Sequence, residues 1–409
     1  MIDQNLNQEQ RQEIIERVLQ TFETRFYDPG LHGVDLRSLA RSRFEELLTT
    51  GDFPGSMAAL LAETKSHPTD FFHETRRWAP LSRLAKATFY ATDGGRNRWM
   101  FQDVLVDGPA DKAGTKPGAI LLDVNGSDNR TGGPPGAFTT QTTTVHFQNP
   151  HSEPSSFAIE PVVPETKRKR DTTRYLNYSK LDPGVGYIRI SMFPGVLGID
   201  ITKDTDRAIK ALRDTKSLIV DLRGNMGSAG AGNLRLMSYL TPDRIPVGYS
   251  LTRRRAAQGY KREDLIRFER VPSSKFLAPF TLWRFRKVDK SIVVVTEGLG
   301  SKAFRGKKVL LVNEHTISGA EIVAGFAADH KLATIVGTRT AGRTLSWSSL
   351  PVGYGYYMTI PIGNYLTWEG KSLEGTGVEP QVSVPFSPDA AIAGRDQQLE
   401  TAIDIARSL

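Results

Sequence analysis

The chain has no cysteine among its 409 residues. Disulfides, thiolate metal sites and a cysteine nucleophile are excluded together. The absence does not fix a compartment, because proteins of reducing and oxidising spaces can both lack cysteine. Long apolar stretches are also missing: no run of about 18 apolar residues occurs, so no transmembrane helix is expected. The first ten residues are polar, with neither a basic n-region nor an apolar h-region. This start predicts a cytoplasmic chain, or a periplasmic or secreted one if a leader has been removed. The seven histidines show no His-x3-His pairing with carboxylates at ligand spacing. No metal and no cofactor is expected.

The formal charge is +8, with basic clusters at 167–170, 253–255 and 284–290. Two readings stand: solvated loop charge, or attraction of an acidic or carboxylate-bearing polypeptide. No helix-turn-helix, zinc-finger or RNA-recognition signature accompanies the charge, so no nucleic-acid partner is expected. An oligomer is compatible with the sequence but nothing in it specifies one.

At this length two or three domains are expected. Residues 8–24 carry Ile14, Ile15, Val18, Leu19 and Phe22 at helical spacing. Two further helices are expected over 36–48 and 56–64, punctuated by Asp52-Phe-Pro-Gly55. This gives an N-terminal helical subdomain, 1–78. Short strand-like runs follow at 88–91, 99–106, 120–124, 142–147 and 157–162, giving a β-rich module, 79–165. After a basic linker at 165–171, strands and helices alternate. Strands are expected at 185–190, 217–222, 291–296, 309–312 and 334–336. Helices are expected at 202–213, 232–240 and 321–329. Such alternation argues for an α/β domain on a largely parallel sheet, 166–409. Residues 241–290 read as an insertion or lid.

Two loops carry the chemistry. The strand at 309–312 runs through Ile317-Ser318-Gly319-Ala320 into a helix, which exposes a hydroxyl at a strand-to-helix turn. The competing reading of Ser318 is an ordinary helix N-cap. The loop Asp221-Leu-Arg-Gly-Asn-Met-Gly-Ser-Ala-Gly230 follows another strand, and glycine-rich loops of this kind can turn backbone N–H groups toward negative charge. It lacks the spacing and the lysine of a phosphate loop, so nucleotide binding is not expected.

These motifs together resemble the C-terminal processing (tail-specific) protease family. Asp221-Leu-Arg-Gly-Asn225 is similar to its "D-L-R-G-N-x-G-G" loop. Residues 313–329 are similar to its serine segment. Thr334-Ile-Val-Gly-Thr-Arg-Thr-Ala-Gly342 and Gly375-Thr-Gly-Val-Glu-Pro380 are similar to two motifs nearer the family's C-terminal end. Within the β-rich module, 108–126 resembles the strand, short helix and strand of a PDZ domain. The usual carboxylate-binding loop is not recognisable there, and Thr92-Asp-Gly-Gly95 stands in its region.

The resemblance implies a multidomain α/β protein: a helical N-terminal region, a PDZ-like β-rich module and an α/β (ClpP/crotonase-like) catalytic core. It implies a serine endopeptidase with Ser318 as nucleophile and the Gly319 and Gly224 amides at the oxyanion hole. Many members use a lysine base where this chain has Arg343. Arginine stays protonated and cannot accept the serine proton. The tricorn-like branch uses a histidine, an adjacent serine and a glutamate instead. Ser66-His67 and Glu374 fall at those positions, which implies His67 as base, Glu374 as its orienting carboxylate and Ser66 in support.

His73 and His315 compete for the base, Glu369 competes with Glu374, and His330 reads as a helix cap. Arg343 and Asn225 are candidate substrate contacts. Two alternatives stay open: an acyl or peptidyl transferase (cyclase or esterase) on the same site, and a catalytically inactive peptide-binding homologue.

Overall fold

The computed structural model describes residues 6–92, 98–127, 134–161, 174–182, 184–194, 199–227, 230–272 and 291–408. The 93–95 part of the expected carboxylate-loop region lies outside these residues. So do the linker at 165–171 and the basic clusters at 167–170 and 284–290.

The core sheet explains where the chemistry sits. Its strand order is Val382–Ser383, Thr334–Gly337, Lys307–Val312, Ser217–Asp221, Val185–Ile190, Leu176–Asp182. All pairings are parallel except the last. Every residue of Ser217–Asp221 is buried, as expected for a parallel strand covered on both faces. Alternation does the sorting. Leu218, Val220, Leu310 and Val312 face one core, with the helices Ile199–Ala211, Gly230–Leu240 and Gly319–Asp329. Ile219, Val309 and Leu311 face a second core closed by the C-terminal helix Gln397–Ser408. The C-terminal ends of Ser217–Asp221 and Lys307–Val312 lie side by side, in register from Ser217/Lys307 to Asp221/Leu311. The glycine loop and the serine loop therefore open at the same edge, where ligands of parallel α/β sheets usually bind.

The helical N-terminus is less separate than the sequence suggests. Helices Gln8–Arg25, Leu36–Ser42, Phe44–Thr49 and Phe53–Ala62 bury Ile14, Val18, Phe22, Met57 and Leu60 against Val352, Tyr356, Met358 and Ile360. Those partners come from the strands Ser346–Gly353 and Tyr356–Thr367, some 300 residues downstream. The strand Asp70–His73 pairs antiparallel with Tyr356–Thr367 and seals the arrangement. The expected single helix over 36–48 is broken at Arg43, whose φ of −111° and ψ of 14° are not helical.

The β-rich module is a five-stranded antiparallel sheet: Ala87–Thr92, Arg98–Val104, Ile120–Val124, Thr143–Gln148, Pro154–Ile159. A short helix, Pro109–Lys112, follows its second strand. Of the 241–290 stretch read as an insertion or lid, 273–290 lie outside the described residues, and residues 241–272 are structured. They supply the strands Pro246–Thr252 and Ile266–Phe268, which join Ile292–Val295 and Tyr356–Thr367 in a mixed sheet. No helix among the described residues is long and apolar enough to cross a membrane.

Candidate active site

Ser318 precedes the helix Gly319–Asp329 with φ 56° and ψ −122°. An ordinary N-cap residue is extended, and a positive φ in a residue with a Cβ is strained. The strain is held from several sides. The Ser318 N–H donates to the Arg343 carbonyl (2.9 Å) and to Glu321 Oε2 (3.1 Å). The Ile317 N–H donates to the Asn225 carbonyl (3.1 Å). Gly227 packs directly on the serine: a Cβ there would stand 2.4 Å from Ser318 Cβ and 3.0 Å from its Oγ. Only glycine leaves room for this contact.

Glu321, which the sequence reading passed over, organises the elbow. It is fully buried, yet its carboxylate accepts from Thr340 Oγ1 (2.6 Å), Gly342 N–H (2.6 Å) and Arg343 N–H (2.8 Å), besides Ser318. Burial raises its pKa, and these four donors pull against that. One helical side chain thus binds the 340–343 loop to the serine. The glutamate at the third helical position is the signal that could have marked it.

The glycine loop is built on buried charge. Arg223 forms paired bonds with Asp221 (Nε 3.0 Å, Nη2 2.7 Å) and with Asp396 (both 2.8 Å). Burial alone would push the Asp221 carboxyl up, but Arg223 and Arg189 outweigh it and hold the carboxyl far below its ordinary range. Two expectations are corrected here. The Gly224 N–H donates to Asn313 Oδ1 (2.9 Å), so that amide is already engaged within the protein. Asn225 is fully buried. Its side chain donates to the Ile190 carbonyl (2.6 Å) and accepts from the Gly227 N–H (2.8 Å), so its polar atoms are taken up in shaping the loop. The Gly319 N–H, at the start of the helix, has no acceptor among the described residues.

Glu374 grips the same stretch as Ser318. Its Oε2 accepts from the Thr344 and Leu345 N–H groups at 2.7 and 3.1 Å, and the Gly375 N–H donates to the Gly342 carbonyl (2.8 Å). Glu374 also faces the N-terminal region. Burial, then the charges of Asp28 and Glu374, push the Tyr27 phenol up to about 12. Tyr27 in turn bonds His32, a second side chain the sequence motifs did not mark. His32 Nδ1 lies 3.1 Å from the Thr64 carbonyl and 3.2 Å from Ser66 Oγ, and Nε2 lies 2.6 Å from Tyr27 Oη. A carbonyl only accepts, so Nδ1 carries the proton and, in the neutral ring, Nε2 accepts from Tyr27. Ser66 is buried on this histidine and on Thr64; it makes no bond to Glu374 among the described residues. Arg253 donates to the Phe26, Asp28 and Pro29 carbonyls (3.2, 2.8 and 3.3 Å). It pins this N-terminal turn to the core, so one member of the 253–255 cluster is structural.

His67 follows Ser66 directly and is exposed. Its ring has no hydrogen-bond partner among the described residues, and no bond joins it to Ser318 or Glu374. Its competitors are engaged elsewhere. His73 Nδ1 meets Thr75 Oγ1 (2.7 Å) and the ring packs on Tyr356. His315 Nε2 meets Gln102 Oε1 (3.1 Å). His330 ends the serine helix against Phe326. The Arg343 side chain is exposed; its backbone, not its guanidinium, meets the serine. No group of three or more histidine and acidic residues able to hold a metal occurs among the described residues.

A strand-to-helix serine and a glycine loop thus open side by side from adjacent parallel strands of the α/β core. Residues 184–384 match peptidase family S41, and the chain carries this domain, homologous to carboxyl-terminal processing proteases. It is 24% identical to the carboxyl-terminal-processing protease of Synechocystis sp., over 74% of this chain and 63% of that protein. It is 26% identical to carboxyl-terminal-processing peptidase 1, chloroplastic, of Arabidopsis thaliana, over 71% of this chain and 53% of that protein. The chain thus spans less than two thirds of these relatives' length. Over 106 residues it is 35% identical to tricorn protease homolog 1 of Streptomyces coelicolor, covering 25% of this chain and 10% of that protein. Its fold is similar to that of the photosystem II D1 C-terminal processing protease, with a TM-score of 0.60, 18% identity and 93% and 94% of the two chains covered. Mature CPAF is also similar, at 0.57, 15% identity and 96% and 98% coverage.

Proposed function

We propose that the chain is a serine endopeptidase that hydrolyses peptide bonds through an acyl-enzyme on Ser318. The observation that carries this reading is the Ser318 backbone, strained at φ 56° and held there by Arg343, Glu321 and Gly227. Strain of this kind concentrates at functional sites, and an elbow presents the hydroxyl for attack.

His67 takes the Ser318 proton as general base and returns it to the leaving amine as general acid. The exposed ring of His67 leaves its nitrogens open for this work. Glu374 orients and stabilises the imidazolium, and Ser66, anchored on His32, fixes the segment that carries it. The Gly319 N–H donates to the oxyanion at the positive end of its helix. Water then attacks the acyl-enzyme with His67 again as base. The substrate is a polypeptide, and the 79–165 segment is a PDZ-like module beside the α/β core.

Hydrolysis of an unfolded protein substrate tests the reading. Wild type cleaves it, Ser318→Ala and His67→Ala lose at least about a thousandfold in kcat, and Glu374→Gln loses less. A wild type that turns over no substrate, or a His67→Ala variant that keeps its kcat, overturns it.

A further inference from the structure

We propose that Asp103, on the second strand of the antiparallel module, is a positioning residue of the Ser318 site. It sets the orientation of the Asn313 amide and so fixes the glycine loop and the serine loop in one register. The proposal rests on the reading of Ser318 as a nucleophile.

Asp103 reaches across 210 residues of sequence to accept from Asn313 Nδ2 at 2.9 Å. The same carboxylate accepts from Thr88 Oγ1 (2.8 Å) and Arg189 Nη2 (3.1 Å). It is fully enclosed. Burial would raise its pKa, but Arg189 and Arg223 prevail and keep it below the ordinary value. Asp103 is therefore a carboxylate at neutral pH, and a carboxylate only accepts.

That chemistry decides which way Asn313 points. Its Nδ2 must face the acceptor Asp103, which leaves Oδ1 on the other side. There Oδ1 accepts from the Gly224 N–H (2.9 Å) and the His315 N–H (3.2 Å). The Asn313 N–H is held by Thr316 Oγ1 (3.0 Å), whose hydroxyl donates to the Leu222 carbonyl (2.9 Å). Asn313 and Thr316 are both fully buried. The Asn313 amide and the Thr316 hydroxyl thus join residues 222–224 to residues 313–316, two positions before the nucleophile. Reversing it would set an NH2 group against the Gly224 N–H, an unpaired clash that is costly in a buried site.

The neighbouring Gln102 reinforces the junction. Its Nε2 donates to Glu314 Oε1 (2.9 Å) and its Oε1 meets His315 Nε2 (3.1 Å). Two consecutive residues of the module therefore grip three consecutive residues of the serine loop. The module is part of the site's scaffold whatever its ends bind.

The test uses the full chain carrying Asp103→Asn, which keeps the shape but brings a donor toward Asn313. We expect kcat to fall about tenfold or more, as supporting hydrogen bonds of active sites generally require, with KM within about threefold. Amide exchange of segments 222–227 and 313–318 should accelerate. The double variant Asp103→Asn with Asn313→Asp restores an acceptor facing Gly224, and should regain the protection and most of the kcat. Unchanged exchange and kcat in the single variant, or a loss carried by KM alone, overturns the proposal. If the single variant does not fold, the double variant decides: kcat and protection near wild type support the proposal, and loss of both overturns it. A wild type without hydrolytic activity removes the nucleophile reading, whereas the exchange measurement still decides whether Asp103 couples the loops.

Discussion

The Ser318 N–H donates to the Arg343 carbonyl at 2.9 Å. Arg343 therefore meets Ser318 through its backbone. Any side chain at 343 can make this bond. Arg343→Ala is expected to leave kcat within about threefold, with any loss appearing in KM. Steady-state kinetics on a peptide substrate checks this. A collapse of kcat would assign the guanidinium a part in the chemistry.

Gly227 packs directly against Ser318. Its φ is 74°, and a Cβ would sit 2.4 Å from Ser318 Cβ and 3.0 Å from the Ile317 carbonyl. Gly227→Ala must displace the elbow. A shift of about 1 Å costs on the order of a hundredfold in rate, and that loss in kcat is expected with an unchanged far-UV circular dichroism spectrum.

Arg223 joins Asp221, at the end of a core strand, to Asp396, just before the C-terminal helix. Removing the guanidinium leaves the wholly buried Asp221 to Arg189 at 3.4 Å and the Tyr187 hydroxyl at 2.8 Å. Arg223→Ala is expected to cost roughly 3–5 kcal/mol, read as a lower urea midpoint. A loss under about 1 kcal/mol would mean the charge relaxes or water enters.

Acid should loosen the same junction. Asp221 and Asp103 both have depressed carboxyl pKa values in the fold, because nearby arginines outweigh their burial. A depressed carboxylate contributes stability that is complete above its unfolded pKa, about 3.9, and is lost as pH falls through the folded value. Denaturant midpoints of wild type should therefore fall on acidification below about pH 4. Asp103→Asn should show a shallower acid dependence; an equal slope would contradict the direction given for Asp103.

Local chemistry was legible in the sequence, and long-range chemistry was not. The parallel strands at 217–221 and 307–312 announce themselves as short apolar runs before turns, and the serine elbow follows one of them. The helix at 8–25 shows its apolar spacing, and the structure places it within a residue. Gly224 and Asn225 were misread because a glycine-rich loop shows its freedom but not its partners. Which amide is engaged depends on Asn313, 89 residues away. His32 stands in no recognisable motif, between Gly30 and Gly33, and only the fold brings it to Ser66. The strands 346–353 and 356–367 escaped notice because their aromatic and glycine-rich sequence resembles loop, and their burial comes from helices at the other end of the chain.

Intact-protein mass spectrometry after treatment with a fluorophosphonate tests the nucleophile most directly. A single adduct is predicted on wild type at neutral pH, mapped to Ser318, absent in Ser318→Ala and strongly slowed in His67→Ala. No adduct on wild type anywhere between about pH 6 and 9, where a histidine base is neutral over much of the range, would contradict the account. So would an adduct that survives Ser318→Ala.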